Sequence, residues 1–132
     1  MFKHTPEQAR AAWVAALRSG QYKQTTDTLK DDYGFCCLGV ACDVYAKLEP
    51  ETGASWDGDT FVTPNHDDDQ NDATLPTLVR NWLGLDGFSG PLTREATLAT
   101  CAASLANLND DKGFTFAQLA DVIENKGVVL RG

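Results

Sequence analysis

The run Tyr33-Gly34-Phe35-Cys36-Cys37-Leu38-Gly39-Val40-Ala41-Cys42-Asp43 constrains this chain more than any other stretch. It holds three of the four cysteines, and it begins with Tyr33, Phe35 and Cys37 alternating as strand residues do. The period then becomes helical. Through Leu48, the residues Cys37, Leu38, Ala41, Val44, Tyr45 and Leu48 share one side of a helix. Gly39 and Asp43 stack on the opposite side, one turn apart. Two readings of that back face are open: a helix against a sheet with Asp43 in water, or a gap that admits a second backbone or a ligand.

Length and charge set the bounds. The chain has 132 residues, and a single globular domain over 1–132 is expected, long enough for a core without staples. The net charge is −8 and no Lys/Arg run offsets it, so no duplex nucleic acid is expected as a partner. An acidic protein that imitates DNA and occupies a basic host protein remains an alternative. Lys3, His4, Glu7 and Gln8 interrupt any apolar stretch after the first residue, so neither a signal peptide nor a membrane span is expected. The cysteines Cys36, Cys37, Cys42 and Cys101 include no C-x-x-C pair, and His4 and His66 lie outside their cluster. Buried, reduced thiols and no metal site are the expectation, which places the chain in a reducing cytoplasm.

Along the chain, Thr5-Pro6-Glu7-Gln8 reads as a capping box, followed by the stripe Ala9, Ala12, Trp13, Ala16 and Leu17 and a stop at Gly20. Tyr22–Leu29 is threonine-rich without a helical stripe. With a turn at Lys30-Asp31-Asp32 it predicts a β-hairpin with Tyr33–Cys37, one face carrying Tyr22, Gln24, Thr26 and Thr28. Trp56–Val62 predicts a second hairpin, with Asp57-Gly58 favouring a type I′ turn. In the acidic run 66–72, Asp67, Asp69 and Asn71 match the opening of a calcium loop. Asp72 and Leu78 stand where that loop needs glycine and glutamate, so the run reads as a solvated loop.

Leu75, Leu78, Val79, Trp82 and Leu83 predict a short helix ending at Gly84. Thr93 caps a longer one whose stripe of Leu98, Cys101, Ala102, Leu105 and Leu108 would bury Cys101. Thr115 and Gln118 box the last helix, Gly127 ends it, and Val128-Val129-Leu130 suggests an edge strand. The fold expected is α+β, about five helices packed on a small antiparallel sheet.

Catalytic signatures are missing: the chain has no G-x-S-x-G, Walker loop, H-E-x-x-H or Rossmann fingerprint. No catalytic residue and no cofactor are expected. Groups suited to binding are better supplied. Arg18 offers a bidentate cation, Tyr22 and Trp56 rings to stack on, Gln24 and Asn109 amides, and Asp43 and Asp110 carboxylates. The expected site is the junction of the first helix's end, the polar hairpin face and the Asn109-Asp110 corner, with Trp56 as a lid. The structural alternative makes Arg18 and Asp110 helix-end residues and Asn109 a C-cap.

The combination Ala16-Leu17-Arg18-Ser19-Gly20-x-Tyr22-x-Gln24, then Phe35-Cys36-Cys37-Leu38-Gly39-Val40-x-Cys42-Asp43, resembles a set of short uncharacterised proteins of tailed phages and prophages. Leu75-Pro76 with Trp82-Leu83-Gly84-Leu85, and Leu105-Ala106-x-Leu108-Asn109-Asp110 with Phe116, are similar to it as well. The resemblance implies a bacterial cytoplasm and a phage accessory role, and it assigns no catalytic residue. By analogy, such proteins act on host defence. The expected activity is sequestration of a small nucleotide-like ligand by a possible homo-oligomer. An acidic inhibitor of a host protein is the alternative, and a small enzyme that degrades the signal is the third.

Overall fold

Thr5 caps the first helix, α1 (Pro6–Arg18), through the expected box with Gln8, and proline occupies its first turn. The computed structural model of the chain describes residues 2–63 and 73–131. α2 (Cys37–Leu48) runs through the middle, and every residue from Cys37 to Cys42 is buried. A hairpin follows, β1 (Ser55–Asp57) with β2 (Thr60–Val62), in the register Ser55 to Val62, Trp56 to Phe61 and Asp57 to Thr60. Then come α3 (Thr77–Leu83), α4 (Arg94–Thr100), α5 (Leu105–Asp110) and α6 (Phe116–Glu124). The described residues thus form six α-helices and one two-stranded antiparallel sheet, an α+β arrangement. The acidic run 66–72 lies outside them.

The core is one cluster around α2. α1 packs on α6, α2 and α3, while α2 also meets α3 and α5. Trp13, Trp82, Tyr45 and Phe61 are its fully buried large side chains. Trp13 donates its indole N–H to the Cys37 carbonyl at 2.9 Å, which fixes α1 against the start of α2.

Three expectations need correction. The helix starting at Thr93 does not continue to Asn109. Cys101 turns left-handed (φ 59°) and ends α4, and Ser104 caps a new helix, α5. The stripe is therefore broken: Cys101 is exposed, while Cys36, Cys37 and Cys42 are buried free thiols. The segment Tyr22–Leu29 is no strand either. Its threonines supply no apolar face, and the backbone reverses at Asp27 (φ 67°), whose N–H is held by the Asp110 carboxylate at 3.0 Å. What remains is a looped strap. Phe35 pairs with Lys23 and Thr25 on one side, and Cys36 N–H bonds the Leu29 carbonyl at 3.1 Å. Lastly, the tight hairpin turn is Gly58-Asp59, with positive φ at Gly58 alone. That is the pattern of a II′ loop rather than the expected I′.

Two glycines make the strap possible. A Cβ on Gly39 would lie 1.8 Å from the Leu29 carbonyl oxygen, and one on Gly34 would lie 2.1 Å from that of Lys23. Both obstacles are backbone, which cannot swing aside as a side chain can. Of the two readings of the back of α2, the close approach is the one found. Replacing Gly39 with alanine should lower unfolding stability by about 3 kcal/mol or more, measured by urea titration. A loss under about 1 kcal/mol would mean that the strap relaxes away from α2 freely.

Candidate functional site

The back of α2 carries a polar and aromatic cluster built from elements far apart in sequence. Asp43 sits one turn beyond Gly39 on the same side of the helix. Tyr22, at the start of the strap, donates its hydroxyl to Asp43 Oδ2 at 2.5 Å. Trp56 of β1 donates its indole N–H to Oδ1 at 3.2 Å, and Lys47, four residues along α2, reaches Oδ2 at 3.0 Å. Burial alone would raise the Asp43 pKa. The hydrogen bonds from Tyr22, Lys47 and Trp56 outweigh it and hold the carboxyl below its ordinary value. Tyr22 moves the other way, raised first by burial and then by its bond to Asp43.

The rings form a row. Tyr22 meets Phe35 edge-on at 5.2 Å between centroids, and Phe35 meets Trp56 at 5.8 Å. Two ammonium groups lie over them: Lys30 at 5.1 Å from the Trp56 ring centroid, and Lys47 at 5.5 Å from that of Tyr22. Asp43, Tyr22 and Trp56 are half-buried, so the row is partly open to solvent.

Of the seven residues expected at a site, three therefore converge here: Tyr22, Asp43 and Trp56. Trp56, expected as a lid, donates its N–H to Asp43 of α2 and sets its ring against Phe35 and Phe61. Gln24, Asn109 and Asp110 converge separately, as a structural knot. Asn109 Oδ1 accepts from Gln24 Nε2 at 2.8 Å and from Cys37 N–H at 3.2 Å. Its amide nitrogen donates to the Thr25 carbonyl and to Asp110. At 1 % exposure Asn109 has its amide committed on both sides, tying the strap and α2 to α5. Arg18 joins neither group. Its guanidinium holds Asp121 at 2.5 Å and Glu124 at 2.9 Å, binding the end of α1 to α6.

Lys30 and Lys47 were missed by sequence reading, as was a third cluster around Glu49. That carboxylate is 2 % exposed and accepts from Lys3 N–H at 2.7 Å, His4 N–H at 3.1 Å and Trp82 Nε1 at 3.0 Å. His4 Nδ1 adds a bond at 2.8 Å. No local pattern marks a glutamate after Leu48 as the anchor of the chain's start. Burial pushes the Cys36 thiol up to about 11 and raises those of Cys37 and Cys42 well above the ordinary value, which favours the neutral thiol in all three.

The fold is thus a helical α+β unit with a polar seam on the back of its central helix. A family model matches residues 6–127, and the chain belongs to that family, described as a domain of unknown function (DUF8296). No curated protein and no solved structure matches it. No helix among the described residues is long and apolar enough to cross a membrane.

Glu49 yields a prediction on pH. Burial opposes its ionisation, but the hydrogen bonds from Lys3, His4 and Trp82 prevail and its pKa falls below the ordinary 4.5. A depressed carboxyl contributes stability that is present above about pH 4.5 and lost as pH falls through the folded value. Glu49→Gln should cost about 2 kcal/mol at neutral pH and flatten the decline of stability below about pH 4.5, read by denaturant titration across pH. An unchanged acid profile would show that the anchor contributes nothing.

Proposed function

We propose that the chain is a phage accessory protein of the bacterial cytoplasm that binds a small nucleotide-like ligand and holds it without catalysis. One observation carries the binding reading: Tyr22, Trp56 and Phe35 stand in a row beside Asp43, with Lys30 and Lys47 over the rings, in a chain of net charge −8. A ring face bordered by ammonium groups has the chemistry of base stacking next to phosphate contact. The Lys30 ammonium covers the Trp56 ring, on a flexible stem. A base that stacks there displaces it and leaves it free to meet the phosphate. The phage setting rests on the sequence resemblance, and the DUF8296 family adds no activity to it.

Trp13 and Trp82 are fully buried, so a ligand on the surface changes the emission of Trp56 above all. Purified protein incubated with a bacterial nucleotide extract, desalted and heated should release an intact nucleotide, identified by mass. The same nucleotide should quench the tryptophan emission, and Lys30→Ala with Lys47→Ala should weaken it by about tenfold or more. Release of a cleaved product would make the protein an enzyme. No released nucleotide, or equal affinity in the lysine variant, would move the function away from this cluster.

A further inference from the structure

The turn that joins Lys30 to Phe35 is closed on an anion of its own. Lys30 and Phe35 form an antiparallel bridge across it. Asp31 Oδ1 accepts from Tyr33 N–H at 2.8 Å and from Gly34 N–H at 3.1 Å, and its Oδ2 accepts from the Thr25 hydroxyl at 2.8 Å. Successive backbone N–H groups aimed at one point make a cradle for a phosphate. Here the chain's own carboxylate fills that cradle, and the bond from Thr25 above all holds its pKa below the ordinary value. Asp31 is therefore charged at neutral pH. It follows Lys30 directly in the chain, and Asp32 follows it.

The cations over the rings are unequal. Lys47 is paired with Asp43 at 3.0 Å. Lys30 lies 5.1 Å from the Trp56 ring centroid and 5.7 Å from that of Phe35, and it makes no ion pair among the described residues. A phosphate that enters beside Trp56 thus meets the Lys30 ammonium, with carboxylates next to it and a net charge of −8 on the chain. A terminal phosphate carries about two negative charges at neutral pH, and a triphosphate carries more. A phosphate esterified on both sides carries a single one. Each charge beyond the first finds no unpaired cation over the described rings and is repelled by Asp31.

We infer that the row takes a nucleotide whose phosphate is esterified on both sides, and that Asp31 turns away nucleotides with a terminal phosphate. The base stacks on Trp56, and the Lys30 ammonium meets the single charge of the diester. This assignment rests on the nucleotide reading of the row and narrows it to one class of phosphate.

Two measurements test it. Nucleotide released from the protein after incubation with a bacterial extract is treated with alkaline phosphatase, which removes terminal phosphates and leaves diesters whole. Its mass should not change. Loss of phosphate would overturn the selection and leave the nucleotide reading standing, whereas no release at all would remove the nucleotide reading and the selection with it. The second measurement compares, by calorimetry, nucleoside monophosphates of the common bases with their methyl esters, the free nucleosides and the triphosphates. For the base that binds best, the methyl ester should bind about threefold or more tighter than the monophosphate and about tenfold or more tighter than the triphosphate. Lys30→Ala should bring the ester down to the affinity of the nucleoside. Asp31→Asn keeps an oxygen for the Tyr33 and Gly34 N–H groups but removes the charge, and it should narrow both gaps. Where Asp31→Asn does not fold, the parent chain decides alone. A monophosphate or triphosphate that binds as tightly as the ester, an ester no tighter than the nucleoside, unchanged gaps in Asp31→Asn, or a panel in which nothing binds would overturn it.

Discussion

The Leu29 carbonyl lies where any residue but glycine at position 39 would carry its Cβ, and the polar side of the molecule depends on that contact. A helix usually keeps a neighbouring backbone at the distance its side chains impose. Here the strap approaches to the surface of the α2 backbone itself, and Leu29 is buried completely. With the strap seated at Gly39, Phe35 is bridged from both sides and Tyr22 arrives beside Asp43, one turn further along the helix. The ring row thus depends on the missing side chain at Gly39, together with the one missing at Gly34.

Long-range polar ties hold the remaining pieces to α2. At one end, Asn109 takes the Cys37 N–H, one of the first-turn donors that has no partner within its own helix, and gives its own amide protons to the strap and Asp110. At the other end, Glu49 gathers the backbone of Lys3 and His4 and the Trp82 indole. Both side chains are nearly inaccessible to water, and every polar atom of each has at least one partner. Such buried groups fix one arrangement of the chain, because any shift leaves a donor or acceptor unpaired. The small thiols belong to the same design. Cys37 Sγ lies 3.9 Å from the Leu105 carbonyl, a closeness that a larger side chain at the helix start would prevent.

What the sequence made legible was local. Thr5 with Gln8 and Thr115 with Gln118 form the capping boxes their spacing announces, and Gly84 ends α3 in the left-handed conformation that glycine tolerates. Gly39 and Asp43 were recognisable as an anomaly on the back of a core helix, because helical spacing alone puts them there. Where the sequence misled, the deciding partner was distant. A left-handed Cys101 carries no glycine or proline to mark the break between α4 and α5. The strap looks like a strand until Asp110 captures the backbone of Asp27. Arg18 looks like a free cation at a helix end until α6 brings Asp121 and Glu124 to it. Lys30 and Lys47 gain meaning only when the rings beneath them are assembled from three separate elements.

Electrostatics within the ring row separates the two modes of binding that a chain of this charge offers. Asp43 would repel an anionic ligand if its charge stood alone, but Lys47 neutralises it at 3.0 Å and Tyr22 and Trp56 donate into it. The carboxylate then acts chiefly to orient the two rings, and among the described residues of the row Lys30 remains as the cation in excess. With only one charge to engage, ligand affinity must come largely from stacking, which salt screens little. Affinity for a nucleotide at this cluster should therefore fall by less than about tenfold between low and physiological salt, as read by Trp56 quenching. An acidic face docked on a basic host protein engages many charges at once and weakens steeply over the same range. A steep salt dependence would place recognition on the acidic surface of the molecule and leave Tyr22, Asp43 and Trp56 as packing.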